Sequence, residues 1–270
     1  MAKMSISKAW DETAAIVARD GRLITAVALA LVVLPQLVVG IVSPPVPGAV
    51  TAFGRLLSLV ATLIALLAQL ALVRLAIGPS TSVGEAITHA ARRYPSAFGA
   101  GLIVVCALAL VLIPVTQVLL NRGILDMPVE GEPLPRSFVR YAMVILIVGL
   151  LIGAKLMVMM PVASSEKIGP IKILNRAWSL TKGHYWPLLG LECLLVLTAL
   201  IILFAAQILG GIIAEVMGGA IVPFSLSALI LALFLALAQA GFLVVVTMMV
   251  SRLYLQLSGA SHASVPSSGT

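Results

Sequence analysis

The sequence predicts an all-α polytopic membrane protein: six transmembrane helices arranged as three repeated hairpins, each preceded by a cytoplasmic interfacial amphipathic helix. Three observations carry this expectation. Hydrophobic residues make up 61% of the 270-residue chain and charged residues only 10%, too little charge to cover a soluble domain of this length. Six apolar stretches, roughly residues 23–42, 56–73, 97–120, 141–163, 188–210 and 222–250, meet the about 20 residues that a helix needs to cross about 30 Å of hydrocarbon. They are continuous rather than alternating, which excludes a β-barrel. A charged segment followed by two apolar stretches recurs three times, starting at Ser5, Ser82 and Gly169, and self-similarity of this kind signals a repeated unit.

The units run over about residues 5–77, 82–163 and 169–250, within one integral membrane domain of residues 1–257. Each opens with a helix too short and too charged to span. In the second, Ser82 followed by Glu85 has capping-box spacing. In the third, Gly169-Pro170 places proline at the first helical position, where its missing N–H costs nothing. Apolar or small residues recur at helical spacing: Ile6, Trp10, Thr13 and Val17; Val83, Ile87, Ala90 and Tyr94; Pro170, Leu174, Ala177 and Thr181. The opposite faces carry Lys8, Asp11 and Glu12; Glu85, His89 and Arg92; Lys172, Arg176 and Ser179. Such helices are expected in the membrane interface, with Lys8, Arg92, Arg93, Lys172, Arg176 and Lys182 as candidates for contact with lipid headgroups. Asp20-Gly21, Pro95 and Gly183 are expected to stop them, turning the chain from the membrane plane into a span.

Charge placement sets the expected orientation. Of the seventeen Lys and Arg residues, twelve fall on the side of the two termini and the three repeat openings, and four on the other side; Lys155 lies inside a span. The positive-inside rule puts that side, with both termini, in the cytoplasm. The net charge of +7 therefore reads as topology and attraction to anionic lipid, not as nucleic-acid binding. No cleavable signal peptide is expected, because the first apolar run is a full span behind about 22 residues. Cys106 and Cys193 fall inside spans without metal-ligand spacing and are expected to be reduced. Turns 43–49 and 121–137 and the Gly218-Gly219 turn lie on the far side, and residues 258–270 are small, polar and expected to be disordered.

Lys155 and Glu192 are the ionisable side chains clearly inside spans. Both fall roughly 9–12 Å below the cytoplasmic interface at 1.5 Å per residue, which makes an ion pair between consecutive helices geometrically feasible. A central charge costs about 2.5–3.5 kcal/mol on insertion scales, so each should be paired, snorkelling or neutral. The functional alternative is a polar site for a lipid headgroup or a proton. Gln36, Gln69, Gln117, Gln207 and Gln239 fit helix–helix bridges, and Pro35, Pro114 and Pro161 fit kinks. No GxSxG, HExxH, P-loop or CxxC motif occurs, and a site using Ser164 or Ser165 has no base in view along the sequence. No catalysis, metal or cofactor is expected.

The stretch from Pro161 to Gly190 has a proline near the end of a span, an acid at Glu166, then Ala177-Trp178-Ser179, Leu180-Thr181-Lys182-Gly183 and Trp186. This run resembles the membrane domain attached to some bacterial glycerophosphoryl diester phosphodiesterases and its stand-alone YciC-like relatives. The resemblance is specific over about 30 residues and implies a bacterial inner-membrane protein of helical topology. It does not carry phosphodiesterase activity here. That chemistry needs a soluble barrel with a Glu, Asp and His metal site, whereas His89, His184 and His262 stand far apart along the chain. The expected role is a non-enzymatic membrane scaffold or accessory protein contacting phospholipids and other membrane proteins. The alternative is a small transporter or lipid-translocating protein with a polar site around Lys155 and Glu192, since carriers place sites at repeat interfaces framed by broken helices.

Overall fold

The computed structural model describes residues 5–46, 51–78, 82–129 and 133–259. Among these there are helices and turns and no strands. Six helical stretches are long and apolar enough to cross a membrane: Ile6–Val42, Ala52–Ile77, Val83–Asn121, Arg136–Ser165, Tyr185–Gly218 and Leu226–Leu257. Each is longer than the apolar run that predicts it, so each tilts or projects beyond the hydrocarbon. Lys3, Pro47 to Ala49, Glu130, Glu132, and residues 260–270 of the expected disordered tail lie outside the described residues.

The first rod comprises α1 (Ile6–Ala28), a π-helical turn (Leu29–Val33) and α2 (Leu34–Val42). Pro35 accounts for the π turn: it has no N–H for the Leu31 carbonyl and its ring crowds that carbonyl, so the preceding turn widens. Next come α3 (Ala52–Ile77) and α4 (Val83–Asn121). The capping box of α4 forms as its spacing predicts. The Ser82 hydroxyl accepts from the Glu85 N–H at 3.3 Å, and the Ser82 N–H donates to the Glu85 carboxylate at 3.2 Å. The fourth span is broken into α5 (Arg136–Leu156) and α6 (Met159–Ser165), followed by α7 (Pro170–Thr181), α8 (Tyr185–Gly218) and α9 (Leu226–Leu257). Pro170 opens α7 with Gly169 as its cap, as expected.

Two of the three expected stops are absent. Asp20 leaves helical geometry (φ −109°, ψ 16°), yet the first rod continues through it. Pro95 sits inside an uninterrupted α4. An internal proline costs about 3 kcal/mol, and tertiary contacts offset it: the Tyr94 ring stacks on Phe98 at 6.0 Å, and its hydroxyl donates to the Leu63 carbonyl at 3.2 Å. Only Gly183, at φ 126°, separates its opening helix from the following span.

The stripes marked by helical spacing turn partly into the bundle, where Thr13, Ala90, Ala177 and Thr181 are buried. Ala9, Thr13 and Ile16 are buried in α1, while Trp10 and Val17 are exposed. In α4 the buried residues are Ala86, Ala90, Ala97 and Ala100, and in α7 they are Ile173, Ala177 and Thr181. The inward faces combine small residues with Ile16 and Ile173. Trp10 and Val17 turn outward, where lipid accepts large apolar side chains as readily as protein does.

The sixth span, α9, is the axis of the bundle and packs against α1, α2, α3 and α8. Its buried residues Ala228, Ala232, Ala236, Ala240, Val244 and Met248 recur every fourth position, forming a ridge of small side chains that lets neighbours approach. At Gly40 of α2, an added Cβ would lie 2.5 Å from the Ala232 Cβ, so glycine is required for that contact. One end of the bundle gathers the basic segments. The Ser5 N–H donates to Gln256 Oε1 at 2.9 Å, and His89 Nε2 lies 2.9 Å from the Ser164 carbonyl, which joins the starts of α1 and α4 to the ends of α9 and α6. At the opposite end the Ser137 hydroxyl donates to Asp126 at 2.9 Å. The second hairpin is not closed along its length. α5 leans on α7 and α8 rather than on α4, which it meets through the Thr116 and Tyr141 hydroxyls.

Candidate functional site

Polar side chains from three helices converge on a cavity of about 190 Å³ inside the basic half of the bundle. α3 contributes Gln69 and Val73, α8 contributes Glu192 and Leu195, and α9 contributes Val246, Thr247 and Val250. Gly153, Met157, Met160 and Pro161 close the remaining wall. That wall is where the fourth span is interrupted. α5 ends at Leu156 and α6 starts at Met159, and Pro161 has no N–H to offer the Met157 carbonyl one turn back. Irregular backbone at membrane depth is tolerated where it borders a cavity, and this break does so.

Gly153 positions the carboxylate. A Cβ there would lie 2.8 Å from Glu192 Oε1, so the absent side chain is the space that the carboxylate occupies. Neither Glu192 nor Gln69 has a hydrogen-bond or ion-pair partner among the described residues. Thr247 is 3% exposed, and its hydroxyl is buried without a partner. Gln69 and Glu192 therefore line one small space with their bonding capacity unused, and the Thr247 hydroxyl is closed off behind its wall. A buried polar group in that state costs about 1–3 kcal/mol unless something enters to pair with it.

The structure does not join Lys155 and Glu192 in an ion pair. Lys155 Nζ sits 4.4 Å from the Tyr185 ring centre and 5.2 Å from that of Trp178. The side chain thus reaches toward the basic end, where ring faces attract its charge. Tyr185 is itself fixed by its hydroxyl, which donates to the Leu151 carbonyl at 3.4 Å.

The motif residues build the frame next to this cavity. Glu166 is the hub. Its Oε1 accepts from Arg176 Nε at 3.1 Å and from the Tyr254 hydroxyl at 3.2 Å, and its backbone carbonyl accepts from Arg93 at 3.4 Å. That one residue ties α4, α7 and α9 together. The buried Thr181 hydroxyl lies 3.1 Å from each of the Lys155, Ala177 and Trp178 carbonyls and donates among them, anchoring the end of α7 to α5. Leu180 packs on the core, Ser179 donates to the Arg176 carbonyl at 2.8 Å, and Gly183 supplies the left-handed turn into α8. Trp178 lies under Lys155, Pro161 is buried in the cavity wall, and Trp186 points outward, 77% exposed. Thr181→Val is expected to lower stability by about 1 kcal/mol by leaving the Lys155 carbonyl unpaired. Thermal unfolding in detergent measures it.

The basic residues divide in two. Arg176 and Arg93 are held by Glu166, and Lys8 lies 3.9 Å from Glu12. Arg92, Lys172 and Lys182 are exposed with no partner among the described residues. Sequence reasoning gave Ser164 no base, whereas the fold brings His89 to it. His89 Nε2 lies 3.5 Å from the Ser164 hydroxyl and 2.9 Å from its carbonyl. The shorter contact requires Nε2 to carry a proton and donate, so the ring caps the last turn of α6 rather than activating the hydroxyl. No group of three or more His, Cys, Asp or Glu side chains suits a metal among the described residues. Thr247 and Gly153 were missed in the sequence because each is one small residue in a long apolar run. Comparison with family models, with curated proteins and with solved structures finds no match to this chain.

Proposed function

We propose that this chain is a non-enzymatic, multi-pass protein of a bacterial inner membrane that holds a phospholipid within its bundle. On this reading both termini face the cytoplasm, as the positive-inside rule favours. Three hairpin units succeed one another, and the unpaired Arg92, Lys172 and Lys182 meet lipid phosphates at the cytoplasmic surface. The resemblance of residues 161–190 to the membrane domain of glycerophosphoryl diester phosphodiesterases agrees with a lipid-facing role. The observation that carries the proposal is the meeting of Gln69 and Glu192, both unpartnered among the described residues, at a cavity bordered by a broken span. A bundle with no ligand would gain by filling that space with apolar side chains.

Native mass spectrometry of the protein released from nanodiscs tests this. The wild type is expected to keep one phospholipid under collisional activation that strips the surrounding bilayer lipid. Glu192→Leu is expected to lose it. Equal release of all lipid from both proteins would refute the reading.

A second reading, a scaffold or accessory protein for other membrane proteins, is favoured by the divergence of α4 and α5. Their flanks are left open to a partner's helix. A membrane protein that co-purifies with the wild type and is lost when Val105 and Leu110, exposed on α4, are both replaced by tryptophan would support it. Binding unaffected by that change would count against it.

A further inference from the structure

The cavity does not stand alone. Beside it, between α1, α8 and α9, runs an apolar groove of about 560 Å³ whose lining includes Trp10, Ile202, Phe242 and Met249. Leu195 and Val246 border both the cavity and the groove. We propose that together they take one phospholipid whose headgroup ends in a primary ammonium, with the ammonium on Glu192 and one acyl chain in the groove. This rests on the lipid-holding reading above and names its ligand.

Charge selects the headgroup first. Glu192 is the only charged side chain that lines the cavity, and no cation pairs with it among the described residues. The nearby Lys155 is engaged by the Tyr185 and Trp178 rings. A carboxylate at this depth is stabilised by an incoming cation and repels an anionic headgroup. Hydrogen bonding selects next. A primary ammonium has three N–H donors and no acceptor, which suits the Glu192 carboxylate oxygens and the Gln69 amide oxygen. A trimethylammonium headgroup has no N–H to give. It is recognised instead by aromatic faces, and no aromatic residue lines the cavity.

Size and direction agree. The cavity volume equals the liquid share of about six waters at about 30 Å³ each, room for a headgroup and not for a whole lipid. The groove follows α8 from Leu191 to Ile202, which at 1.5 Å per residue is about 17 Å of apolar channel. Glu192 stands at the basic-end limit of that channel, so a lipid seated there has its head toward the basic end and its chain toward the bilayer centre. This is the sense of a lipid in the adjacent leaflet.

The test is a competition. The protein is reconstituted with equimolar phosphatidylethanolamine, phosphatidylcholine and phosphatidylglycerol of identical chains, and the retained lipid is read by native mass spectrometry. The wild type is expected to enrich phosphatidylethanolamine about tenfold over phosphatidylcholine. Glu192→Gln, which keeps the shape and removes the charge, should abolish that preference. Gly241→Phe, which fills the groove from α9, should reduce retention of all three lipids. Free ethanolamine at millimolar concentration should not displace the bound lipid, because it leaves the groove empty. Equal retention of the three lipids by the wild type would overturn the ammonium assignment and leave the lipid-holding reading intact, whereas retention of none would overturn both. Displacement by free ethanolamine, or full retention by Gly241→Phe, would overturn the role of the groove.

Discussion

Gly153→Ala is expected to cut lipid retention about tenfold while leaving the protein as stable as the wild type or more so. The added Cβ falls 2.8 Å from Glu192 Oε1, and the carboxylate end of a glutamate is the part that can move. Displacing it costs the bundle little, since the rest of the Glu192 side chain approaches no closer than 3.4 Å. Meanwhile glycine to alanine inside a helix gains about 1 kcal/mol. Binding and stability should therefore move in opposite directions, a combination that general damage does not produce. Gly153→Val, which also projects into the cavity, should lower retention further. Retained lipid and thermal midpoint measured on one preparation decide the matter. An alanine variant that keeps its lipid as the wild type does would show that the carboxylate is not the anchor.

Glu166→Ala is expected to destabilise the protein by about 2 kcal/mol. The change removes the acceptor for Arg176 and for Tyr254 at once. The Arg176 contact is the lesser part, because that side chain is 45% exposed and water screens exposed pairs to about 1 kcal/mol or less. Tyr254 is 5% exposed, so its hydroxyl is left in the core with Ser165 alone as a side-chain partner. Glu166→Gln retains an oxygen for Tyr254 and should cost about half as much. The Arg93 bond runs to the backbone carbonyl and survives both changes. Equal losses from alanine and glutamine would mean that the charge, rather than the Tyr254 bond, does the stabilising.

The number and order of the spanning helices were legible because a membrane-spanning helix needs only a continuous apolar run, and nothing distant is required to recognise one. The caps at Ser82 and Gly169 were legible for the same reason: their bonds close within one turn. The expected stop at Pro95 failed because what carries the helix past it, Tyr94 against Leu63 and Phe98, is tertiary. At the site, the placement of Lys155 and Glu192 inside spans followed from counting residues. Their partners did not, because Gly153 and Lys155 point to different sides of α5, and only the packing of α7 and α8 shows which side meets Glu192. Thr247 carries no signal inside Val-Val-Val-Thr-Met-Met-Val; its meaning comes from lacking a partner.

The place of α9 at the centre of the bundle bears on how the protein is made. Helices enter the bilayer in the order of synthesis, so the first five spans arrive before the one that most of them pack upon. Until the ribosome has delivered Leu226–Leu257, α1, α2 and α3 have no Ala ridge to meet and Ser5 has no Gln256 to bond. The contacts of α1, α2, α3 and α8 with that last helix can form only once it has been made, whereas those of α3 with α4 and of α5 with α8 need no later segment.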